Sequence, residues 1–167
     1  MLLKQFRYYL HSLPILATAL AAALPLAAQH SRITTPIDRN RTLAIQGHVH
    51  RYAQPRYDQG RVAASLPLNN LTLLLKPSAD QQTALEELLA AQQDPTSERH
   101  QQWLSPEEFA DRFAPSQSDI DQLTAWLEAQ GFTVTHVGQS RNWIAFQGTA
   151  EQAENAFATE IHYYRVK

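Results

Sequence analysis

The sequence predicts an α+β domain in which helices pack on one face of a small antiparallel sheet. Along residues 67–167, short apolar or alternating runs are interspersed with longer segments whose apolar residues recur every three or four positions. Three of the helical segments open with Ser or Thr and have Glu, Asp or Gln three residues later, as in a capping box. These signals give the order strand, three helices, two strands, helix and strand.

The first strand and the first helix follow Pro67. Residues 71–76 form an apolar run that stops at a proline, which is typical of a buried central strand. Residues 79–93 have the apolar spacing of a helix, and an Asp-Pro pair ends it. The leucines on its apolar stripe are Leu85, Leu88 and Leu89.

Two capped helices come after a polar loop. Ser105 can accept a hydrogen bond from the Glu108 amide while the Glu108 carboxylate reaches back, and a proline suits the first helical position. This short helix ends near Phe113. Ser116 begins a longer helix, which ends at Gly131.

Four residues around this pair of helices are predicted to be structural anchors. Trp103 is expected to be a buried plug between the polar loop and the helix pair. Trp126 lies on the apolar face of the longer helix. The complete set of anchors is Trp103, Ser105, Glu108 and Trp126.

A hairpin, a helix and a strand complete the predicted domain. Residues 132–137 and 142–147 alternate as two strands joined by a turn that begins with glycine. Thr149 and Gln152 cap the last helix, and residues 160–166 alternate again as the last strand.

This order is that of the ferredoxin-like, split βαβ plan, with an inserted short helix. In that plan a four-stranded antiparallel sheet has helices on one face, and its second and last strands lie at the edges. Alternation directs one set of side chains toward the helices: Leu73, Leu75, Phe132, Val134, Ile144 and Phe146. It leaves another set on the helix-free face: Thr72, Leu74, Thr133, Thr135, Trp143 and Ala145. Because that face carries large apolar side chains, we predict that it binds a partner.

Residues 1–28 predict a cleaved signal peptide. Lys4 and Arg7 precede an apolar run of 14 residues at 13–26, and small residues precede a cleavage point before Gln29. A membrane anchor is the alternative, but the run contains prolines and is shorter than the ~20 residues of a membrane span. We therefore expect a secreted or periplasmic protein with no stable membrane anchor. The sequence contains no cysteine, so disulfides do not stabilise it.

Residues 29–66 predict an extended N-terminal arm, because they are rich in Arg, Gln and Pro and have little periodicity. Short strands are possible at 43–49, and residues 58–60 suggest a turn. His48 and His50 could be metal ligands on one strand face, but without a third ligand we assign no metal site. We expect removal of the arm to cost the domain at 67–167 little stability.

The sequence offers no catalytic constellation. The candidate serines, in caps or loops with no positioned histidine and carboxylate, are Ser116, Ser118 and Ser140. The acidic pairs at 86–87 and 107–108 are adjacent residues, so on a helix their side chains point about 100° apart. Such pairs suit solvent and the helix dipole rather than paired acid–base chemistry.

Charge argues against nucleic acid as the partner. Residues 1–66 carry eight Lys and Arg against two Asp and Glu, whereas residues 67–167 carry six against fourteen. The same strand order occurs in RNA-binding modules that stack bases on aromatic residues, and Trp143 lies on the corresponding face. A domain with a net charge of −8 nevertheless lacks the basic surface that phosphates require.

Several segments together resemble the activation prodomain of sedolisin, or kumamolisin-type, serine-carboxyl peptidases. They occur in the family's order: LTLLL, QQDPTSERHQQWLSPEEFADRFAPSQSDI, WLEAQGFTV, FQGTAEQAENAF and TEIHYY, with DQGRVAASLPL as a weaker lead-in. The resemblance covers roughly residues 42–167. It implies a ferredoxin-like unit that follows a signal peptide, assists folding of the peptidase behind it, and blocks the peptidase cleft until acid-triggered processing.

The resemblance also implies where the chemistry of this family lies. Its Ser-Glu-Asp triad and its calcium site belong to a catalytic domain, which would follow a linker beginning at Lys167. We therefore expect residues 67–167 to be a prodomain without its catalytic domain, with no catalytic residue, no metal site and no cofactor. The expected partner is a sedolisin-type catalytic domain. The alternative is a free-standing secreted inhibitor that acts in trans on a separate peptidase.

Overall fold

The computed structural model describes residues 29–38, 41–47 and 49–165. The signal-peptide prediction for 1–28, His48 of the histidine pair, and the last two residues lie outside the described residues. Within the described part of the chain, no helix is both long enough and apolar enough to cross a bilayer.

Helices and strands occur in the predicted order after Pro67, with one additional strand before it. The helices are α1 (Ala79–Gln93), α2 (Pro106–Phe113), α3 (Gln117–Ala129) and α4 (Ala150–Phe157). The strands are β1 (Asp58–Arg61), β2 (Pro67–Leu74), β3 (Thr133–Val137), β4 (Trp143–Thr149) and β5 (His162–Tyr164). A single 3₁₀ turn, Pro55–Tyr57, precedes β1.

Capping boxes define where the helices begin. Ser105, Ser116 and Thr149 each accept a hydrogen bond from the amide three residues later, and the side chain of that later residue bonds back, as predicted. Helix α1 has the same arrangement between Ser78 and Gln81, which the sequence reading missed. Because these bonds are local, the helix limits agree with the predicted ones to within two residues.

The single four-stranded sheet expected from the sequence is wrong. Strands β2, β4 and β3 form an antiparallel sheet in that order, whereas β5 pairs with β1 in a separate two-stranded sheet. Residues 58–60, read as a turn, lie in β1, where Gly60 has a positive φ of 94°. Asp58 of the arm binds the His162 side chain on β5, and the Val62 amide donates to Ile161 O. Arg61 binds Glu154 of α4, whose carboxylate in turn accepts from the Ile161 amide.

The core lies between the three-stranded sheet and the helices α3 and α4. Its buried members are Ile120, Leu127, Phe132, Ile144, Phe146, Ala153 and Ala156. Phe132 and Phe146 meet edge to face with ring centroids 5.0 Å apart, and Trp126 meets Phe157 in the same way at 5.8 Å. The sheet face predicted to meet the helices therefore supplies the core.

The arm binds to the domain at several points. Ser31 Oγ and the Ile33 amide donate to the Asp119 carboxylate at 2.7 and 2.8 Å. Closer to β2, the carbonyls of Ala64 and Leu66 accept hydrogen bonds from the first amides of α4. The strands considered possible at 43–49 do not form within the described residues of that segment.

Trp103 is not the buried plug that the sequence predicted. Its side chain is 70% exposed, beside α1 and α2. On α1 only Leu88 of the three predicted leucines is buried, and Leu89 is exposed. The backbone order of the loop instead depends on Gln92, whose buried side-chain amide donates to the carbonyl of Gln102.

Candidate partner-binding site

The helix-free face of the three-stranded sheet is the candidate site. Ile144 is fully buried on the core side, whereas Leu74 is 75% exposed on the opposite side. The register places Leu74 directly opposite Trp143 and Thr72 directly opposite Ala145, so each pair shares the helix-free face. Of the six residues predicted to lie there, four are exposed and two, Trp143 and Ala145, are partly buried.

A bulge in β3 adds a residue that the sequence reading missed. Val134 pairs with Phe146, but the next paired residues are His136 and Ala145, so Thr135 is the extra residue. His136 therefore shares the helix-free face, and its ring lies 5.1 Å from that of Trp143 at 33°. Strict alternation placed Thr133 and Thr135 on this face but not His136, because a period of two does not indicate where a bulge occurs.

Gly138 determines where the Trp143 ring lies. A Cβ atom at position 138 would be 2.4 Å from Trp143 Nε1, so only glycine leaves room for the indole against the turn. The Gly138 amide also donates to the Trp143 carbonyl at 3.1 Å. Trp143 is thus a supported aromatic platform with Leu74 and His136 beside it, which is the kind of anchor that protein interfaces use.

No catalytic or metal-binding arrangement is apparent in the part of the chain that the structure describes. Ser116 Oγ bonds Asp119, Ser140 Oγ donates to Asn142, and the Ser118 hydroxyl accepts from Gln122. Within the described ranges, no group of three His, Asp or Glu residues is arranged to hold a metal ion.

Ion pairs concentrate where the arm meets the last strand. Arg61 makes a two-pronged contact with the buried Glu154 at 3.1 and 2.6 Å, and this bond is the main cause of a lowered Glu154 pKa. His162 Nδ1 lies 2.9 Å from Asp58, and that bond raises the pKa of His162 and lowers that of Asp58. The first of these pairs joins β1 to α4, and the second joins β1 to β5.

Comparison with known proteins gives a consistent result. Residues 56–167 match the family model described as "Pro-kumamolisin, activation domain". The tripeptidyl-peptidase sed1 of Aspergillus fumigatus is 39% identical over 80 residues, which are 47% of this chain and 12% of that protein. Xanthomonalisin of Xanthomonas sp. (strain T-22) is 35% identical over 107 residues, which are 64% of this chain and 13% of that protein. Aorsin of Aspergillus oryzae is 33% identical over 88 residues, which are 50% of this chain and 14% of that protein.

The family match covers most of the described chain, whereas the chain covers only a small part of its relatives. The family match begins at Arg56, so it includes β1 and every later helix and strand described above. The chain spans only about an eighth of the length of these relatives.

Proposed function

The chain belongs to the pro-kumamolisin activation domain family, and on that premise we propose that it is a non-catalytic prodomain of a sedolisin-type peptidase. In this proposal it assists folding of the catalytic domain and inhibits it by covering part of its surface. Binding, rather than chemistry, is its activity. The catalytic triad and the calcium site would belong to the partner, so this chain would need no cofactor.

The helix-free sheet face is the observation that supports this role best. Leu74, Trp143 and His136 form an apolar and aromatic patch on a rigid sheet, and patches of this kind on soluble domains usually mark interaction sites. The flanking threonines and Ala145 would be the periphery of the contact. A sheet backed by a packed core suits an inhibitor, because a rigid surface loses little conformational entropy on binding.

The first residues of the chain suggest the compartment in which the domain acts. We infer that residues 1–28 direct export and are then removed, so that the domain acts in a secreted or periplasmic compartment. The same surface would serve a catalytic domain on the same polypeptide or one supplied in trans. An experiment in trans therefore tests the contact itself.

The test uses inhibition of xanthomonalisin catalytic domain by the purified chain. Trp143→Ala and Leu74→Glu should each weaken inhibition by about 2 kcal/mol, roughly thirtyfold, because buried aromatic and aliphatic anchors dominate interface energies. Tyr163→Ala is the matched control, since Tyr163 is an exposed aromatic residue on β5, outside this face. Inhibition constants report the result, and circular dichroism shows that each variant is folded.

Two results would contradict the proposal. If the unmodified chain neither inhibits nor binds the peptidase, the prodomain function is wrong for this pairing. If Tyr163→Ala weakens inhibition while Trp143→Ala does not, the domain binds through its smaller sheet instead.

A further inference from the structure

The loop between α1 and α2 is held in a defined shape by its own hydrogen bonds. Asp94 Oδ1 accepts from the amide and the hydroxyl of Thr96, both at 2.8 Å. The Gln101 amide returns to Gln92 O at 3.0 Å. Gln101 also has φ of 56°, a left-handed conformation that non-glycine residues rarely adopt. Such strain persists only where surrounding contacts enforce it, and it is concentrated at functional positions.

The residue that this loop presents is Trp103. The buried Gln92 side chain holds the carbonyl of Gln102, so the backbone is fixed immediately before the tryptophan. The indole is nevertheless 70% exposed and does not complete the core. It borders an apolar groove of about 440 Å³, whose other lining residues include Leu85, Leu89, Leu104, Phe109 and Asn142. A fixed, exposed tryptophan beside an apolar groove has the geometry of a binding anchor.

The segment that contributes most of the groove is acidic, although no charged side chain lines the groove itself. Residues 82–113 carry seven Asp and Glu against two Arg. Those two arginines, Arg99 and Arg112, line a different hollow beside α1, together with Glu87. Glu107 likewise lines a separate hollow, with Asp111 and Arg141, so these charges lie around the groove residues and not among them. An occupant of the groove would therefore be apolar where it touches the indole, and the net negative charge of the segment would favour basic residues around that apolar contact.

The turn at 140–142 connects the groove to the strand that carries Trp143. Ser140 and Asn142 line one side of the groove, and Asn142 directly precedes Trp143 in the chain. The Asn142 carbonyl also accepts from the Leu75 amide, next to Leu74. A partner that covers Leu74 and Trp143 can therefore extend over the turn at 140–142 and reach the groove.

We propose that the groove beside Trp103, the Trp103 groove, binds an apolar segment with flanking basic residues on the peptidase catalytic domain. This inference rests on the proposed function, and it adds a second anchor to the contact. The helix-free face and the Trp103 groove would contact the same partner, one on each side of the 140–142 turn.

The experiment measures association and dissociation of the purified chain with xanthomonalisin catalytic domain. Trp103→Ala and Leu89→Ser should each weaken affinity by about tenfold or more, mainly through faster dissociation. The double substitution Glu86→Lys with Glu107→Lys should slow association at low salt and reduce its dependence on salt. Tyr163→Ala again controls for loss of an exposed aromatic residue, and circular dichroism verifies the fold of each variant.

The possible results separate this inference from the proposed function. If Trp143→Ala weakens binding and Trp103→Ala and Leu89→Ser do not, the Trp103 groove is not part of the contact, although the prodomain function stands. If the unmodified chain does not bind, the proposed function fails for this peptidase and the inference fails with it. If sedimentation velocity shows a dimer that Trp103→Ala abolishes, the groove binds a second copy of the chain and the inference is overturned.

Discussion

At the scale of single residues, Asp119 joins the arm to the helical layer. Its side chain, only 1% exposed, caps α3 by accepting from Ser116 Oγ at 2.9 Å. The same carboxylate accepts from Ser31 Oγ at 2.7 Å and from the amides of Arg32 and Ile33 at 2.9 and 2.8 Å. Burial acts to raise the Asp119 pKa, but the bonds from Ser31, Ile33, Arg32 and Ser116 outweigh it and lower the pKa to about 2.

Replacement of this carboxylate should therefore destabilise the protein. A fall of the pKa from 3.8 to about 2 corresponds to roughly 2 kcal/mol of stability at neutral pH, and Asp119→Asn should cost about that much. Because the folded-state pKa is lowered, the contribution is present above the unfolded value and is lost as pH falls through about 2. Denaturant unfolding at pH 7 measures the effect. Asp121→Asn, an exposed position on the same helix, is the control; equal losses in both variants would refute the special role of Asp119.

Only half of this residue's role could be predicted from the sequence. The cap between Ser116 and Asp119 is a local pattern, and it formed as predicted. The partnership with Ser31 links residues that are 88 positions apart, and no period or spacing connects them. Trp103 shows the same limit, since the sequence identifies a large aromatic residue in an ordered loop but not whether its ring packs inward.

At the scale of elements, the small β1–β5 sheet depends on charges. The lowered pKa values of Glu154 and Asp58 arise first from their bonds to Arg61 and His162, respectively. Their contributions to stability are present above the unfolded carboxyl pKa values and are lost as pH falls through the lowered ones. The raised His162 pKa, caused first by its bond to Asp58, acts in the opposite sense. That contribution is present below 6.5 and is lost as pH rises through the raised value, so the sheet is held best in mildly acidic solution.

A pH series of thermal unfolding tests this dependence. Glu154→Gln should lower the unfolding midpoint at pH 6, because Arg61 and the Ile161 amide lose a charged acceptor. The difference from the unmodified protein should shrink as pH falls through the lowered pKa of Glu154, because the carboxyl group then becomes protonated. Glu151→Gln, an exposed position on the same helix, should have little effect at any pH. If the unfolding midpoint of Glu154→Gln stays below that of the unmodified protein by a constant amount down to pH 2, side-chain shape and not charge determines the loss of stability.

Elements defined by local signals were predicted well, whereas the pairing of β1 with β5 was not. Helix limits follow capping boxes and stop signals, all within a few residues. Strand β2 begins at Pro67, ahead of the predicted 71, because its early residues pair with β4 despite weak strand propensity. Residues 58–60 have turn-like composition, yet they extend as a strand because β5 and its charged neighbours provide partners.

At the scale of the whole molecule, the arm is bound to the domain through hydrogen bonds, a paired strand and a buried side chain. The expectation that residues 29–66 could be removed cheaply came from their composition, which lacks the apolar periodicity of a core. The arm nonetheless supplies Ser31 to Asp119, strand β1 to β5, and the buried Val62. The core of the larger sheet, by contrast, could be inferred from periodicity, because its buried side chains lie on strand faces and helix stripes that the sequence pattern specifies.

Two deletions separate the contributions of the arm. Removal of residues 29–53 takes away the bonds to Asp119 but keeps β1, so the free energy of unfolding should fall by about the cost of Asp119→Asn, roughly 2 kcal/mol. Removal of 29–66 also deletes the buried Val62 and the only strand that pairs with β5 among the described residues. It leaves the first amides of α4 without the carbonyls of Ala64 and Leu66. That second deletion should lower the free energy of unfolding clearly more than the first, and β5 amides should lose protection from hydrogen exchange before those of β4 do.

Chemical unfolding combined with hydrogen-exchange measurements would show this difference between the two deletions. If both shortened chains were as stable as the full one, the arm would be a passive extension; if the shorter deletion alone abolished cooperative unfolding, the Asp119 contact would outweigh the whole β1–β5 sheet.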